Sequence, residues 1–151
     1  MPKYAADFQR TASTTATTAT IGAVSTTQAR RGKLYDIILG SEATPADASL
    51  LWSIKRYTAA GTGTNVTPLA LDSADPAFLG QAAENHTIEP TFSAGAHLMQ
   101  IALNQRATFR WVAAPGGELV YPATTANGFM LDTDIISTGT PVVTATIHLE
   151  E

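Results

Sequence analysis

The chain has 151 residues, 9 basic side chains against 13 acidic ones, and a net charge of −4 at neutral pH. One domain of this length buries about 68–70% of the surface its unfolded chain exposes; the lack of cysteine excludes disulfides and thiolate metal sites, and the acidic balance excludes the basic footprint on which nucleic-acid binding rests. No run approaches the roughly 18 apolar residues of a membrane span, and Met1-Pro2-Lys3-Tyr4-Ala5-Ala6-Asp7 lacks the apolar stretch of a signal peptide, so the expectation is a soluble protein made in a cytoplasm.

Residues 1–17 read as an N-terminal arm, flexible or ordered on a partner. Tyr4 and Phe8 are its large anchors, and the low-complexity stretch from Thr11 to Thr20 offers almost nothing large to bury. The domain proper then spans residues 18–151. Lys33 to Leu39 reads as a strand apolar on both faces. Leu50 to Tyr57 alternates, with Leu50, Trp52 and Ile54 pointing one way and Ser53 and Lys55 the other. Val66 to Leu71 is a weaker strand that Pro68 interrupts, which suits an edge or a bulge.

Asp72 to Ala83 is the one helical candidate, with Pro76 in its first turn and Gly80 limiting it to one or two turns. His86 to Glu89 is a short strand before Pro90. His97 to Asn104 and Ala107 to Ala113 alternate on either side of a short connection and predict a hairpin. After the Pro115-Gly116-Gly117 turn come Leu119 to Tyr121 and Phe129 to Asp132. Last, Val143, Ala145, Ile147 and Leu149 face inward from a final strand. Eight or nine strands at regular spacing predict an all-β, antiparallel sandwich with at most one short helix. Threonine suits its outer faces, because it favours strands and stays polar without charge.

Chemistry is sparse. His86, His97 and His148 lie too far apart in sequence for a zinc pattern. Asp132 and Asp134 share one face of a strand and are the nearest approach to a calcium site, with no third acid beside them. The Gly61-Thr62-Gly63-Thr64 segment is a turn rather than a phosphate loop, since it lacks the lysine and the helix. No nucleophile elbow is present, although a triad assembles from distant positions and leaves no local trace. Trp52 and Trp111 both fall on the apolar parity of their strands. The reading is a binding protein, not an enzyme, with no cofactor and no metal.

Three stretches carry a resemblance. They are Arg30-Arg31-Gly32-Lys33-Leu34-Tyr35-Asp36-Ile37-Ile38-Leu39-Gly40-Ser41, then Asn104-Gln105-Arg106-Ala107-Thr108-Phe109-Arg110-Trp111-Val112-Ala113-Ala114-Pro115-Gly116-Gly117-Glu118-Leu119, and the terminal Thr144-Ala145-Thr146-Ile147-His148-Leu149-Glu150-Glu151. Together they resemble the capsid decoration, or cement, proteins of tailed bacteriophages, over about residues 20–151. The resemblance implies a jelly-roll-like sandwich on the outer surface of an icosahedral head, made in the host cytoplasm. It implies the major capsid protein as partner and a homo-oligomer, with a trimer favoured, and neither nucleic acid nor membrane. On this reading the capsid contacts are Tyr4, Phe8 and Arg10 of the arm together with Arg30 and Arg31. The alternative is a carbohydrate- or host-surface-binding sandwich from a head fibre or tail, which would expose aromatic side chains in a groove.

Overall fold

The computed structural model describes residues 1–14, 19–26 and 30–151. Within them the chain is all β, with twelve strands in two six-stranded antiparallel sheets. The strands are β1 (Lys3–Thr11), β2 (Ala19–Thr26), β3 (Gly32–Glu42), β4 (Ser49–Ala59), β5 (Thr62–Val66), β6 (Leu69–Ala70), β7 (Gly80–Ile88), β8 (Thr91–Asn104), β9 (Phe109–Val112), β10 (Leu119–Tyr121), β11 (Gly128–Thr133) and β12 (Val142–Glu150). Sheet A runs β10-β3-β12-β1-β6, with β9 pairing β3 beside β10. Sheet B runs β5-β7-β2-β11-β4-β8.

The connectivity is that of a jelly roll. The strands β1, β2, β3 and β4 alternate between the sheets, β8 pairs β4, and the chain alternates again through β9/β10, β11 and β12. Two Greek keys result, with β1-β12-β3-β9/β10 facing β2-β11-β4-β8. The strand count exceeds the expected eight or nine for two reasons. One position is split into β9 and β10, which pair opposite halves of β3. The segment β5–β7 is inserted between β4 and β8, widening both sheets past β1 and β2.

The core follows the alternation read from sequence. Val143, Ala145, Ile147 and Leu149 are all buried, as are Leu50, Trp52 and Ile54, while Trp111 is half-buried against them. Burying a large apolar side chain contributes about 1.5–3 kcal/mol, so these strands carry much of the fold.

Residues 3–11 do not form a separate arm. Lys3–Thr11 is β1, seated between β12 and β6. Tyr4, Ala6 and Phe8 recur at period two and fill the core, at 1%, 1% and 2% exposure. Phe8 lies over Gly22 of β2, where any Cβ would run into its ring. The portion of the expected arm at residues 15–17 lies outside the described residues.

Two further expectations fail for tertiary reasons. Residues 72–83 form no helix. Asp72 Oδ1 accepts from the Ala74 amide at 2.9 Å and its carbonyl accepts from Asp75 N–H at 3.0 Å, closing a turn, and the chain extends into β7 at Gly80. The hairpin of residues 97–104 with 107–113 does not form either, because β8 pairs β4 in sheet B and β9 pairs β3 in sheet A. The connection between them crosses the sandwich. Pro68 marks another crossing: β5 is an edge of sheet B and β6 an edge of sheet A.

Candidate functional site

The strand directions divide the sandwich into two ends. At one end the β3–β4, β8–β9 and β11–β12 connections are laced together. Gln105, 2% exposed, holds all three. Its Nε2 donates to Thr138 O at 2.8 Å, and its Oε1 accepts from Ala46 N–H at 2.8 Å. Its own N–H reaches Ala48 O at 2.9 Å, and its carbonyl accepts from the Ser41 hydroxyl. Thr44 Oγ1 donates to Thr140 O at 2.9 Å, and Asn104 Nδ2 to Asp47 Oδ1 at 2.6 Å. Ala43 and Thr44 sit at φ of 45° and 51°, a left-handed conformation that costs non-glycine residues. The lacing holds them there.

Arg10 belongs to this laced end. Its guanidinium donates to Thr20 O at 2.8 Å and pairs Glu89 at 3.1 Å, while Glu89 Oε2 accepts from Thr20 N–H at 3.1 Å. Arg10 therefore clamps the start of β2. Of the five residues expected to contact a partner, Tyr4 and Phe8 are in the core and Arg10 serves this internal clamp. The cause is the seating of β1 inside sheet A, which turns its large side chains inward.

Arg30 and Arg31 lie at the other end, both exposed. There β3, β7 and β11 begin, β4 and β12 end, and β1 starts. Arg31 shares a hollow of about 390 Å³ with Arg56, Val120, Tyr121 and Pro122. Arg56 Nη2 donates to Val120 O at 3.3 Å, and its guanidinium lies 5.9 Å from the Phe129 ring centroid. Among the described residues no carboxylate stands within ion-pair distance of Arg30, Arg31 or Arg56, nor of Lys3 or of Arg106 at the laced end, whereas Arg10, Lys33, Lys55 and Arg110 each have one. The sequence marked Arg30 and Arg31; only the β4–β11 register adds Arg56.

Four of the seven large apolar side chains that are exposed among the described residues lie at the same end, while Ile135 is exposed at the laced end. Met1 is 69% exposed, Leu69 69%, Leu71 54% and Leu79 37%. Hydrogen bonds fix them around the start of β1: Leu71 N–H to Lys3 O at 2.8 Å, Leu79 N–H to Glu151 Oε1 at 2.6 Å, and Glu151 N–H to Pro2 O at 3.4 Å. Leu69 pairs Ala5 through β6. Apolar and cationic side chains on one end, with Met and Arg prominent, match the composition of protein–protein interfaces.

The histidines fall in three settings. His148 Nδ1 lies 2.9 Å from Asp36 on the outer face of sheet A, where Arg110 also grips Asp36 through Nε at 3.0 Å and Nη2 at 2.7 Å. The Arg110 hydrogen bonds hold the Asp36 carboxyl below the usual carboxylate range, against the opposing effect of burial and with help from His148. His86 is buried in a hollow of about 240 Å³ with Ala23, Ser25, Tyr57, Gly63 and Gln81, and burial pushes its pKa down. His97 is exposed at the rim of a second hollow on sheet B. Asp132 of the Asp132–Asp134 pair binds Lys55 at 2.6 Å, on the face of β4 opposite Leu50, Trp52 and Ile54. Among the described residues no group of three or more His, Asp or Glu side chains is arranged to hold a metal.

No family model matches the chain, and no curated protein does. Among solved structures it is similar to that of the infectious bursal disease virus Gt strain, at 12% identity and a TM-score of 0.20. It is similar also to the infectious bursal disease virus Gx strain, at 14% identity and a TM-score of 0.20. The alignments cover 97% and 99% of this chain but only 39% and 42% of those chains. Scores this low carry no argument; the jelly roll stands on its own strand order.

Proposed function

We propose that the protein is a structural component of a tailed-phage particle that decorates the outside of the icosahedral head and reinforces it by bridging capsid subunits. The observation that carries this reading is the Arg30/Arg31/Arg56 end of the sandwich, where cations without carboxylate partners occupy the same end as exposed Met1, Leu69, Leu71 and Leu79. On an acidic chain, such a surface calls for a partner that brings carboxylates and apolar side chains. The sequence resemblance supplies the candidate, the major capsid protein, and a homo-oligomer, trimer favoured, fits the same end. The rigid, laced opposite end faces solvent on this reading. Each contact is modest, but many copies on one shell act together, so rupture requires many of them to break.

The test uses purified full-length protein and expanded heads that lack it. Co-sedimentation gives occupancy, and the temperature of head rupture gives reinforcement. Bound protein should raise the rupture temperature, and the Arg31→Glu/Arg56→Glu double variant should lower apparent affinity at least tenfold. Unchanged occupancy of the double variant, or no binding of the unaltered protein, overturns the reading.

A further inference from the structure

The outer face of sheet B carries a polar hollow that the Arg30/Arg31/Arg56 end does not use. Its volume is about 240 Å³, and its lining includes Ser53, Lys55, His97, Gln100, Asp132 and Asp134. Lys55 pairs Met130 across the β4–β11 ladder and Asp132 pairs Ser53, so Lys55 and Asp132 are diagonal neighbours on the face away from the core. Their side chains are only 6% and 2% exposed, and Nζ lies 2.6 Å from Oδ2. The other carboxylate oxygen, Oδ1, is buried and has no hydrogen-bond partner.

Lys55 Nζ also lies 4.3 Å from the Phe92 ring centroid, but the fold gains little from the ion pair itself. Desolvation of a buried ion pair offsets most of its attraction, and an apolar couple of similar volume serves as well. A buried carboxylate oxygen left unpaired adds a cost of its own. Both features make sense if a ligand completes the set. That ligand must donate a hydrogen bond to Asp132 Oδ1 and accept one from the remaining Lys55 hydrogens. The Lys55 ammonium repels a metal ion, and Asp132 and Asp134 repel an anion. A pair of adjacent hydroxyls meets the requirement, because each hydroxyl both donates and accepts. Gln100, whose Nε2 reaches Ser53 Oγ at 3.4 Å, keeps its carbonyl for a further hydroxyl. The exposed His97 and Asp134 stand at the rim.

We propose that this hollow binds a neutral saccharide through a vicinal diol, with Asp132 as acceptor, Lys55 as donor and Gln100 and Asp134 as supporting contacts. The site does not depend on the capsid reading, since it lies on β4, β8 and β11 rather than at the arginine end.

The test is a titration of the isotopically labelled full chain with four probes, followed by NMR: the methyl glycosides of mannose, galactose and glucose, and N-acetylglucosamine. One probe should shift the amides of residues 51–55, 97–101 and 130–134 saturably, with a dissociation constant on the order of 1 mM. Gln100→Ala and Asp134→Ala, both at exposed positions, should each weaken binding about 2- to 10-fold, the worth of one net hydrogen bond. A Lys55→Met/Asp132→Leu double variant should fold and lose binding while keeping its affinity for heads. If the double variant does not fold, the two rim variants decide. No saturable shift with any probe, saturable shifts elsewhere on the protein, or unchanged affinity in the rim variants overturns the proposal.

Discussion

The two ends of the sandwich solve opposite problems with the same strands. At the laced end three connections meet, and their polar groups are tied to one another through Gln105, Thr44–Thr140 and Asn104–Asp47. At the arginine end the charges of Arg30, Arg31 and Arg56 find no carboxylate among the described residues, and Met1, Leu69, Leu71 and Leu79 stand exposed at the same end. Internal satisfaction of polar groups makes a rigid, self-contained surface. Unmet charge next to exposed apolar area makes one suited to a partner. On the proposed reading, the difference places stability at one end and recognition at the other.

The largest expected effect tests the strand that runs between the ends. A chain lacking residues 1–11 loses β1 from the middle of sheet A and should show no cooperative unfolding in urea; an arm would be dispensable. Within β1, Phe8→Ala should cost about 3–5 kcal/mol, the range for emptying a buried aromatic site, seen as a lower urea midpoint at unchanged slope. A cost under about 1 kcal/mol would return Phe8 to the surface.

Gln105→Ala sharpens the contrast directly. It strips two side-chain hydrogen bonds from the laced end and should cost about 2–3 kcal/mol. Faster amide exchange confined to residues 43–48 and 134–141 would locate the damage. Acidification destabilises the protein through His86 of β7. Its folded pKa lies below the unfolded value near 6.5, so the unfolded chain binds the proton first. Stability from this group is complete above the unfolded pKa and is lost as pH falls through 6.5 toward the folded value. The urea midpoint should fall between pH 7 and pH 5, and His86→Gln should flatten that fall. Asp36 adds a loss at lower pH, because its folded pKa is depressed below about 3.8 and its contribution vanishes as pH falls through the folded value.

The smallest expected change in stability belongs to the arginine end. Arg31→Glu should move unfolding free energy by no more than about 0.5 kcal/mol, while reducing head occupancy. A stability loss comparable to that of Gln105→Ala would erase the distinction between the ends.

Much of the fold was legible because burial imposes period two on a strand packed on one face. β12 shows it most cleanly, with Val143, Ala145, Ile147 and Leu149 inside. β1 carries the same signal in Tyr4, Ala6 and Phe8, but a small residue in the middle and the threonine-rich stretch that follows disguised it as an arm. The parity of Lys55 points it away from Leu50, Trp52 and Ile54 but does not show its burial; it is buried because β11 places Asp132 diagonally beside it. The second arginine of the basic hollow was invisible for the same reason, since Arg31 and Arg56 meet only through the sandwich.

Composition, alternation and turn residues thus determined by themselves that this chain is all β and which strand faces make the core. Tertiary structure alone decided which sheet each strand joins. Residues 97–104 and 107–113 look like a hairpin because hairpins are local, yet they occupy different sheets. Local preferences fix whether a segment is extended and which side is apolar; pairing partners depend on burying all those apolar faces at once, and that condition belongs to the whole chain.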